Sequence, residues 1–449
     1  MRTVSKTVIG VDFGTQSARA VLVNAENGEI IYSCRKEYPY NSTPVPAIDC
    51  AENLPCATDY EMTLYELLRN VIPEEYRKTV AGICVDATSL TMVLLAEDGR
   101  ALSELDGWSE AAHARVKLWK YHRAQEKADE ALNLARNLQE PFLGRTGGSI
   151  SCEWMLPKLL EVRDEAPEIY SKIDLAMDLC EFLTFRLTGQ LVRSIGSLSY
   201  KCLWAEDLSF PERTFLNGLR AGFYEEYCHF LRGDVRKLGE CAGVLRSELT
   251  KRWGLPEQIP VATGMLDGHT SLATMGAFEP GDAALIVGTS NVCTVQDRKL
   301  QELKDVCGVA QDGMVTGSCG IDTGQSSTGN MLGWFVEHMA GWQIHREAEE
   351  RKISPHQVLA ERIQKPWENK VIAVDWWSGS RNAPCDLTLR GSMSGLEMDT
   401  KTEDIYLALL QAIACGTGTI LESLSGQGVE IGRVLATGGI TEKNPLLMQ

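Results

Sequence analysis

Two carboxylates in this 449-residue chain stand where an apolar run stops. Asp12 closes a run of Val8, Ile9 and Val11, broken only by Gly10, and Gly14, Thr15, Gln16 and Ser17 follow. A Gly-containing turn offers backbone N–H groups, and Thr and Ser add hydroxyls; together these cradle phosphate oxygens. A carboxylate beside them suits Mg2+, usually through water. A plain surface hairpin, with Asp12 and Thr15 satisfying turn backbone, fits so short a motif equally well. Asp267 lies in I-P-V-A-T-G-M-L-D-G-H-T-S-L-A-T-M-G (259–276), at a strand end against the start of a small-residue helix. That is a place for a catalytic base, and it is also what an ordinary N-cap looks like; by pattern alone the cap has the greater weight.

The elements that must position these groups are legible as short apolar runs. Residues 8–40 read as a hairpin plus a third strand, with the Gly14–Ser17 segment as the hairpin turn. Ala283–Val295, A-A-L-I-V-G-T-S-N-V-C-T-V, repeats that theme around Gly288, Thr289 and Ser290. Two strand–Gly-Thr–strand units suggest two related lobes, each with a phosphate-facing hairpin; the alternative is a coincidence of small residues. Val80–Leu95 reads as strand, polar interruption, strand, with Asp86, Ala87, Thr88 and Ser89 at the break. This break either lines a cleft or is a bulge or strand end, the second being favoured. Helices are expected over Thr58–Val71, residues 109–143, from Ser151, over Ala176–Leu187 and over Asp404–Leu424. Ser194–Trp204 reads as a polar connection in which Lys201 is a solvated loop lysine. Val371–Trp377 and Val434–Ile440 read as strands, the latter with Gly438-Gly439 allowing close backbone approach to a flat ligand.

Composition narrows the classes. A chain of this length suggests two or three domains. A net charge of −17, from 44 basic and 61 acidic residues, disfavours nucleic acid and anionic membrane as partners. No apolar run is read as long enough to span a bilayer, and the N-terminus shows no signal-peptide core. The 14 cysteines are scattered without C-x-x-C, as expected of free thiols in a reducing cytoplasm rather than of a zinc site. Absence of G-x-x-x-x-G-K-[ST] and of a strand–G-x-G-x-x-G–helix unit argues against a P-loop or Rossmann enzyme.

Taken together, G-V-D-F-G-T-Q-S-A-R, G-M-L-D-G-H, I-V-G-T-S and A-T-G-G-I-T-E-K-N-P-L-L-M-Q resemble the FGGY carbohydrate kinases, of the actin-like ATPase superfamily. V-K-L-W-K-Y-H-R-A-Q-E-K-A (116–128), G-G-S-I-S-C-E-W-M (147–155), S-Y-K-C-L-W (199–204), D-T-G-Q-S-S-T-G-N (322–330) and V-D-W-W-S-G-S-R (374–381) are most similar to its ribulokinase members. The resemblance covers essentially the whole chain. It implies an α/β fold of two actin-like, ribonuclease H-like lobes with an interlobe active-site cleft. It divides the chain into a sugar-binding lobe over residues 1–277 and an ATP-binding lobe over 278–449. ATP phosphates would lie near Gly14, Thr15, Gln16 and Ser17 and near Gly288, Thr289 and Ser290. Gly438, Gly439 and Asn444 match the adenosine-side motif, Asp267 the catalytic aspartate, and Lys201 and Asp322 sugar contacts. Asp12 would organise Mg2+.

The implied function is phosphorylation of a ketopentose, L-ribulose to L-ribulose 5-phosphate, by a cytoplasmic enzyme, often dimeric in this family. Two departures bear on it. Asp322 replaces the usual Glu, a carboxylate one methylene shorter, which bears on substrate identity. The family normally continues roughly another hundred residues past Gln449, so the second lobe reads as truncated. A kinase for xylulose or a polyol, a truncated non-catalytic sugar or nucleotide binder, and an actin-like chaperone ATPase are the alternatives.

Overall fold

Val8–Val11 and the residues around it form the central strand of a mixed sheet. The computed structural model describes residues 6–38, 54–365, 368–382, 384–386 and 388–448. These fall into two units. One holds the described residues up to Leu143, then Ile150–Thr270 and Ala310–Gly317; the other holds Gly144–Ser149, Ser271–Val309 and the described residues from Ser318 on.

In the first unit, β1 (Thr7–Phe13), β2 (Ser17–Asn24) and β3 (Ile30–Glu37) form an antiparallel meander, as the alternation of apolar residues predicts. Residues 39 and 40, the expected end of the third strand, lie outside the described residues. β4 (Val80–Ala87) joins β1 in parallel. β5 (Cys241–Val244), β6 (Pro260–Ala262) and β7 (Met265–Leu266) complete a sheet of order β3-β2-β1-β4-β6-β5, with β7 also on β4. Helix α1 (Ala57–Val71) buries Leu64, Leu67 and Leu68 against this sheet. Each such side chain contributes about 1.5–3 kcal/mol when fully buried.

The second unit repeats the topology. β8 (Asp282–Val287) and β9 (Asn291–Asp297) are the hairpin, and β10 (Gly308–Gln311) and β11 (Cys319–Gln325) extend it. β12 (Arg433–Thr437) runs parallel to β8, giving the order β10-β11-β9-β8-β12. In each sheet, then, the hairpin's first strand carries an antiparallel neighbour on one side and a parallel one on the other.

Several expectations change. Residues 109–124 are not a regular helix: a short 3-10 turn spans Ala112–Ala114, and the α-helix covers only Gln125–Leu138. Lys117 instead exchanges backbone bonds with Met92 (2.8 and 3.1 Å), an isolated antiparallel bridge. Leu175–Asp178 is a strand paired with Met92–Leu95, and helix α2 (Leu179–Thr188) starts only after Asp178, which caps it. The expected connection at 194–204 contains helix α3 (Ile195–Lys201). Ser151–Trp154 is a turn, and the helix there begins at Met155. The expected strand at Val371–Trp377 is confined to Ile372–Val374. Helix α4 (Asp267–Met275) follows β7, and α5 (Gly329–Met339) follows β11.

The late segment also differs. Helix α6 (Thr402–Gly426) is, contrary to expectation, long and apolar enough by length and composition to cross a membrane. It buries Tyr406, Leu409, Leu410 and Ile413 in a core shared with Phe335 and Leu359. The strand expected through Ile440 stops at Thr437, because Gly438 adopts φ +115° and Gly439 opens α7 (Gly439–Lys443).

Candidate active site

The parallel ladder between β1 and β4 pairs Ile9 with Ile83, Val11 with Val85 and Asp12 with Asp86. Directly paired residues share a face, so the two carboxylates stand side by side at the strand ends. β7 extends the arrangement: Met265 pairs with Asp86 and Leu266 with Ala87, which brings Asp267 next to the pair. Three carboxylates from segments far apart in sequence thus gather in the first unit.

Their electrostatics divide their roles. Asp86 is pushed up to about 9 by burial, then by the charge of Asp12 and a hydrogen bond with it, and by Asp267. Asp86 therefore keeps its proton at neutral pH. Asp267 is half-buried, and burial and the charge of Asp12 raise it to about 7. Opposing them, the Gly268 N–H donates to its Oδ1 (2.7 Å), the Ser89 N–H donates to the same carboxylate, and the Lys201 ammonium faces it. Both bland readings hold in part. Asp267 does cap its own helix, and the break at 86–89 is a strand end. The same bonds leave Asp267 an oriented carboxylate with a pKa near neutrality, as a general base needs.

Lys201 is the last residue of α3 and half-buried, not a solvated loop lysine. The turn after β1 is firmly built. Gly14 N–H donates to Ser17 O (3.1 Å), Tyr38 OH to Gly14 O (2.9 Å), and Arg35 Nε to Ser17 Oγ (2.9 Å). Trp119 Nε1 donates to Thr15 Oγ1 (3.1 Å), which orients the hydroxyl. Gln16 is exposed.

The second unit gathers the other expected group. Ile286 pairs with Thr437, so the strands of β8 and β12 end together at Gly288 and Gly438. A Cβ on Gly438 would lie 2.4 Å from Val287 O. The Gly288–Ser290 turn is fastened to the start of α5. Gly329 N–H donates to Gly288 O (3.0 Å), and Thr328 and Asn330 N–H both donate to Thr289 O (3.1 and 3.2 Å). Asn444 is buried, its amide donating to Tyr406 OH (3.1 Å). Asp322 is buried on β11, paired with Thr294 of β9.

Sequence reasoning did not single out Asp86 as Asp12's partner, nor Ser89 as a donor to Asp267. A signal existed: Ile9-Gly10-Val11-Asp12 and Ile83-Cys84-Val85-Asp86 share the pattern I-x-V-D. Among the described residues no group of three or more His, Cys, Asp or Glu is arranged to hold a metal ion.

Comparison with known proteins agrees with this architecture. Residues 7–274 match the N-terminal domain of the FGGY family of carbohydrate kinases, and residues 283–449 match its C-terminal domain. The chain is 34% identical over 455 residues to a ribulokinase of Halalkalibacterium halodurans, covering 99% of this chain and 81% of that protein. It is 36% identical over 456 residues to a ribulokinase of Mycolicibacterium smegmatis, covering 99% and 80%. The crystal structure of a xylulose kinase from Rhodospirillum rubrum superposes with a TM-score of 0.76 at 20% identity, over 99% of this chain and 83% of that one. The two-lobed fold expected of actin-like sugar kinases is the one found. On these matches the chain belongs to the FGGY family of carbohydrate kinases, enzymes that transfer a phosphoryl group from ATP to a sugar.

Proposed function

We propose that the chain converts L-ribulose to L-ribulose 5-phosphate, with Asp267 as the general base. The observation that carries this reading is the state of Asp267: a half-buried carboxylate at about 7, aligned by the N–H groups of Gly268 and Ser89 and faced by Lys201. A sugar hydroxyl has a pKa far above neutrality. Asp267 orients that hydroxyl and accepts its proton as the oxygen bonds to the γ-phosphorus. Lys201, Asp267 and Asp322 contact the sugar. The N–H groups and hydroxyls of Gly14, Thr15, Gln16 and Ser17, and of Gly288, Thr289 and Ser290, hold phosphate oxygens by donation. Gly438 and Gly439 let the nucleotide approach the backbone, and Asn444, bonded to Tyr406, holds that segment in place. Residues 1–277 would then form the sugar lobe and 278–449 the ATP lobe.

The acidic pair at Asp12 and Asp86 fits a divalent cation. Burial first, and then the charge of Asp12, raise Asp86 to about 9, and hard, oxygen-preferring Mg2+ would offset the charge gathered there. Asp12 would hold it, and the ion when bound offsets phosphate charge. Mg2+ keeps several waters and phosphate ligands, so few protein carboxylates suffice to hold it.

The ribulokinase relatives support a ketopentose substrate. The shorter carboxylate at Asp322 bears on which sugar is taken, and a xylulose-like sugar or polyol is the second reading. The thirteen cysteines among the described residues are all free, which supports a cytoplasmic enzyme. A homodimer is the assembly proposed by family resemblance. The test is a coupled ADP-release assay with Mg-ATP against L-ribulose, D-ribulose, D-xylulose, ribitol and glycerol. Turnover of L-ribulose above the others, lost in Asp267→Asn, supports the proposal. Preference for D-xylulose or ribitol selects the second reading. No turnover by folded protein selects a non-catalytic binder.

A further inference from the structure

The Ser89 N–H that reaches Asp267 belongs to a loop, Thr88–Thr91, whose Leu90 has φ +46°. Leucine enters that region at a cost of about 1–3 kcal/mol and stays only where its surroundings hold it. Two buried ionisable side chains do so. Asp178 accepts the Leu90 N–H on Oδ2 (3.0 Å) and the Thr91 N–H on Oδ1 (3.3 Å). Lys158, fully buried, donates Nζ to Leu90 O (3.0 Å) and to the carbonyls of Lys117 (3.4 Å) and Leu118 (2.9 Å). Both polar groups of the strained residue are thereby fixed.

Asp178 has a second connection. Its Oδ2 also accepts from Ser197 Oγ (2.9 Å), in the helix α3 that ends on Lys201. One buried carboxylate therefore joins the two segments that act on Asp267 from different sides: the loop that donates an N–H to it and the helix that turns a cation toward it. Stability alone is a poor account of this. Burying a carboxylate and an ammonium without a direct pair is costly, and a neutral residue could cap α2. Glu181, whose charge also acts on Asp178, is answered by Arg193 (2.8 Å).

We propose that Asp178, with Lys158, is a positioning residue for the phosphoryl transfer, holding the Ser89 N–H and Lys201 in register with Asp267. The proposal rests on Asp267 being the base. Asp178 touches no reacting atom; it acts through the loop and the helix. The charged groups facing Asp267 are Asp12, Asp86 and Lys201, and those facing Asp178 are Glu181 and Lys158, with the Cys180 thiol also beside it.

The test compares wild type, Asp178→Asn, Ser197→Ala and Asp267→Asn in ADP release with L-ribulose and Mg-ATP, with the folded fraction of each read by circular dichroism. Asn at 178 turns an amide N–H2 toward groups that are themselves donors, so the loop loses part of its anchor. kcat falls about 10–100-fold and KM for the sugar rises, while KM for ATP stays within about twofold. A purely structural defect lowers the folded fraction and leaves both KM values in place. If Asp178→Asn does not fold, Ser197→Ala decides, since it removes one bond and one oxygen; a rise in sugar KM at unchanged KM for ATP is expected. Folded variants with unmoved kcat and unmoved sugar KM overturn the proposal. Activity retained by Asp267→Asn overturns the base assignment instead, a result that the other two variants do not mimic.

Discussion

Gly438 and Gly439 are adjacent, yet replacing each by Ala should fail in a different way. At Gly438, φ is +115°, and a Cβ would meet Val287 O at 2.4 Å, Val287 C at 2.8 Å and Val287 N at 2.9 Å. All three are backbone atoms of the strand that leads into Gly288, so none can rotate aside. The dihedral strain costs about 1–3 kcal/mol. Separating β12 from β8 at their ends brings the sum to about 3 kcal/mol. For a unit of about 150–250 residues this lowers the thermal midpoint by about 6–12 °C. At Gly439 no atom lies within 4 Å of the added Cβ, and the backbone needs no glycine. Gly439→Ala should therefore melt within about 1–2 °C of wild type. If the nucleotide fills that open space, the same methyl meets the ligand and KM for ATP rises about tenfold, with sugar KM unchanged. Differential scanning fluorimetry without nucleotide, followed by ADP-release kinetics, separates the two. A Gly438→Ala protein that melts like wild type refutes the close-approach argument. A Gly439→Ala protein with wild-type KM for ATP refutes the placement of the nucleotide.

Asp267→Asn should lower kcat about 10²–10⁴-fold and leave KM for ATP within about threefold, read by the same assay. In wild type, kcat/KM for the sugar should fall as pH drops through about 7, since protonated Asp267 cannot accept the hydroxyl proton. Asp86 gives a stability prediction with a fixed sign. Its folded pKa, about 9, is above the unfolded value, so the folded state binds more protons and loses stability as pH rises through that window. Asp86→Asn should therefore gain in urea midpoint over wild type at pH 8 and gain little at pH 4. Asp322→Glu restores the longer carboxylate usual in ribulokinases, and its ratio of kcat/KM for L-ribulose over D-xylulose should rise; an unchanged ratio would remove Asp322 from the specificity argument.

The hairpins were legible because period-two apolar runs closed by glycine have few other ways to fold. The strand-end position of Asp267 was legible for the same reason. Its partners were not, because they arrive through register between strands some seventy to two hundred and fifty residues apart. Asp86 becomes Asp12's neighbour only when Ile9 pairs with Ile83. Lys201 was misread for a different cause. Gly196, Ser197 and Ser199 weaken intrinsic helix propensity, so 194–204 looks like a connection. Burial overrides propensity there: Ile195, Leu198 and Tyr200 are all buried. Gly196 is small because a Cβ would meet Gly313 O at 2.6 Å, a packing requirement rather than a loop signal. At 109–124 a helix was expected, whereas Lys117 pairs its backbone with Met92, a strand residue distant in sequence.

On the proposed reading, the repeated topology accounts for how the chemistry divides. β1 and β8 both run between an antiparallel hairpin partner and a parallel strand, and both end one residue before a glycine turn. Matching Phe13 to Val287 sets Asp12 against Ile286, and their parallel partners, Asp86 and Thr437, against each other. Where the first sheet presents two carboxylates, the second presents an isoleucine and a threonine. Gly438 follows Thr437 where Ala87 follows Asp86. Carboxylates at both strand ends would repel a polyphosphate from each sheet, since like charges in a partly desolvated site are poorly screened. Carboxylates at neither would leave no acidic pair to hold a divalent cation. On the proposed reading, one scaffold used twice, once acidic and once neutral and glycine-lined, keeps carboxylates off the sheet that receives the adenosine side of the nucleotide. The substitutions that accomplish it fall at paired positions of one ladder. Exchanging them, Ile286→Asp with Thr437→Asp, should raise KM for ATP far more than KM for the sugar, whereas an equal rise in both would contradict the division.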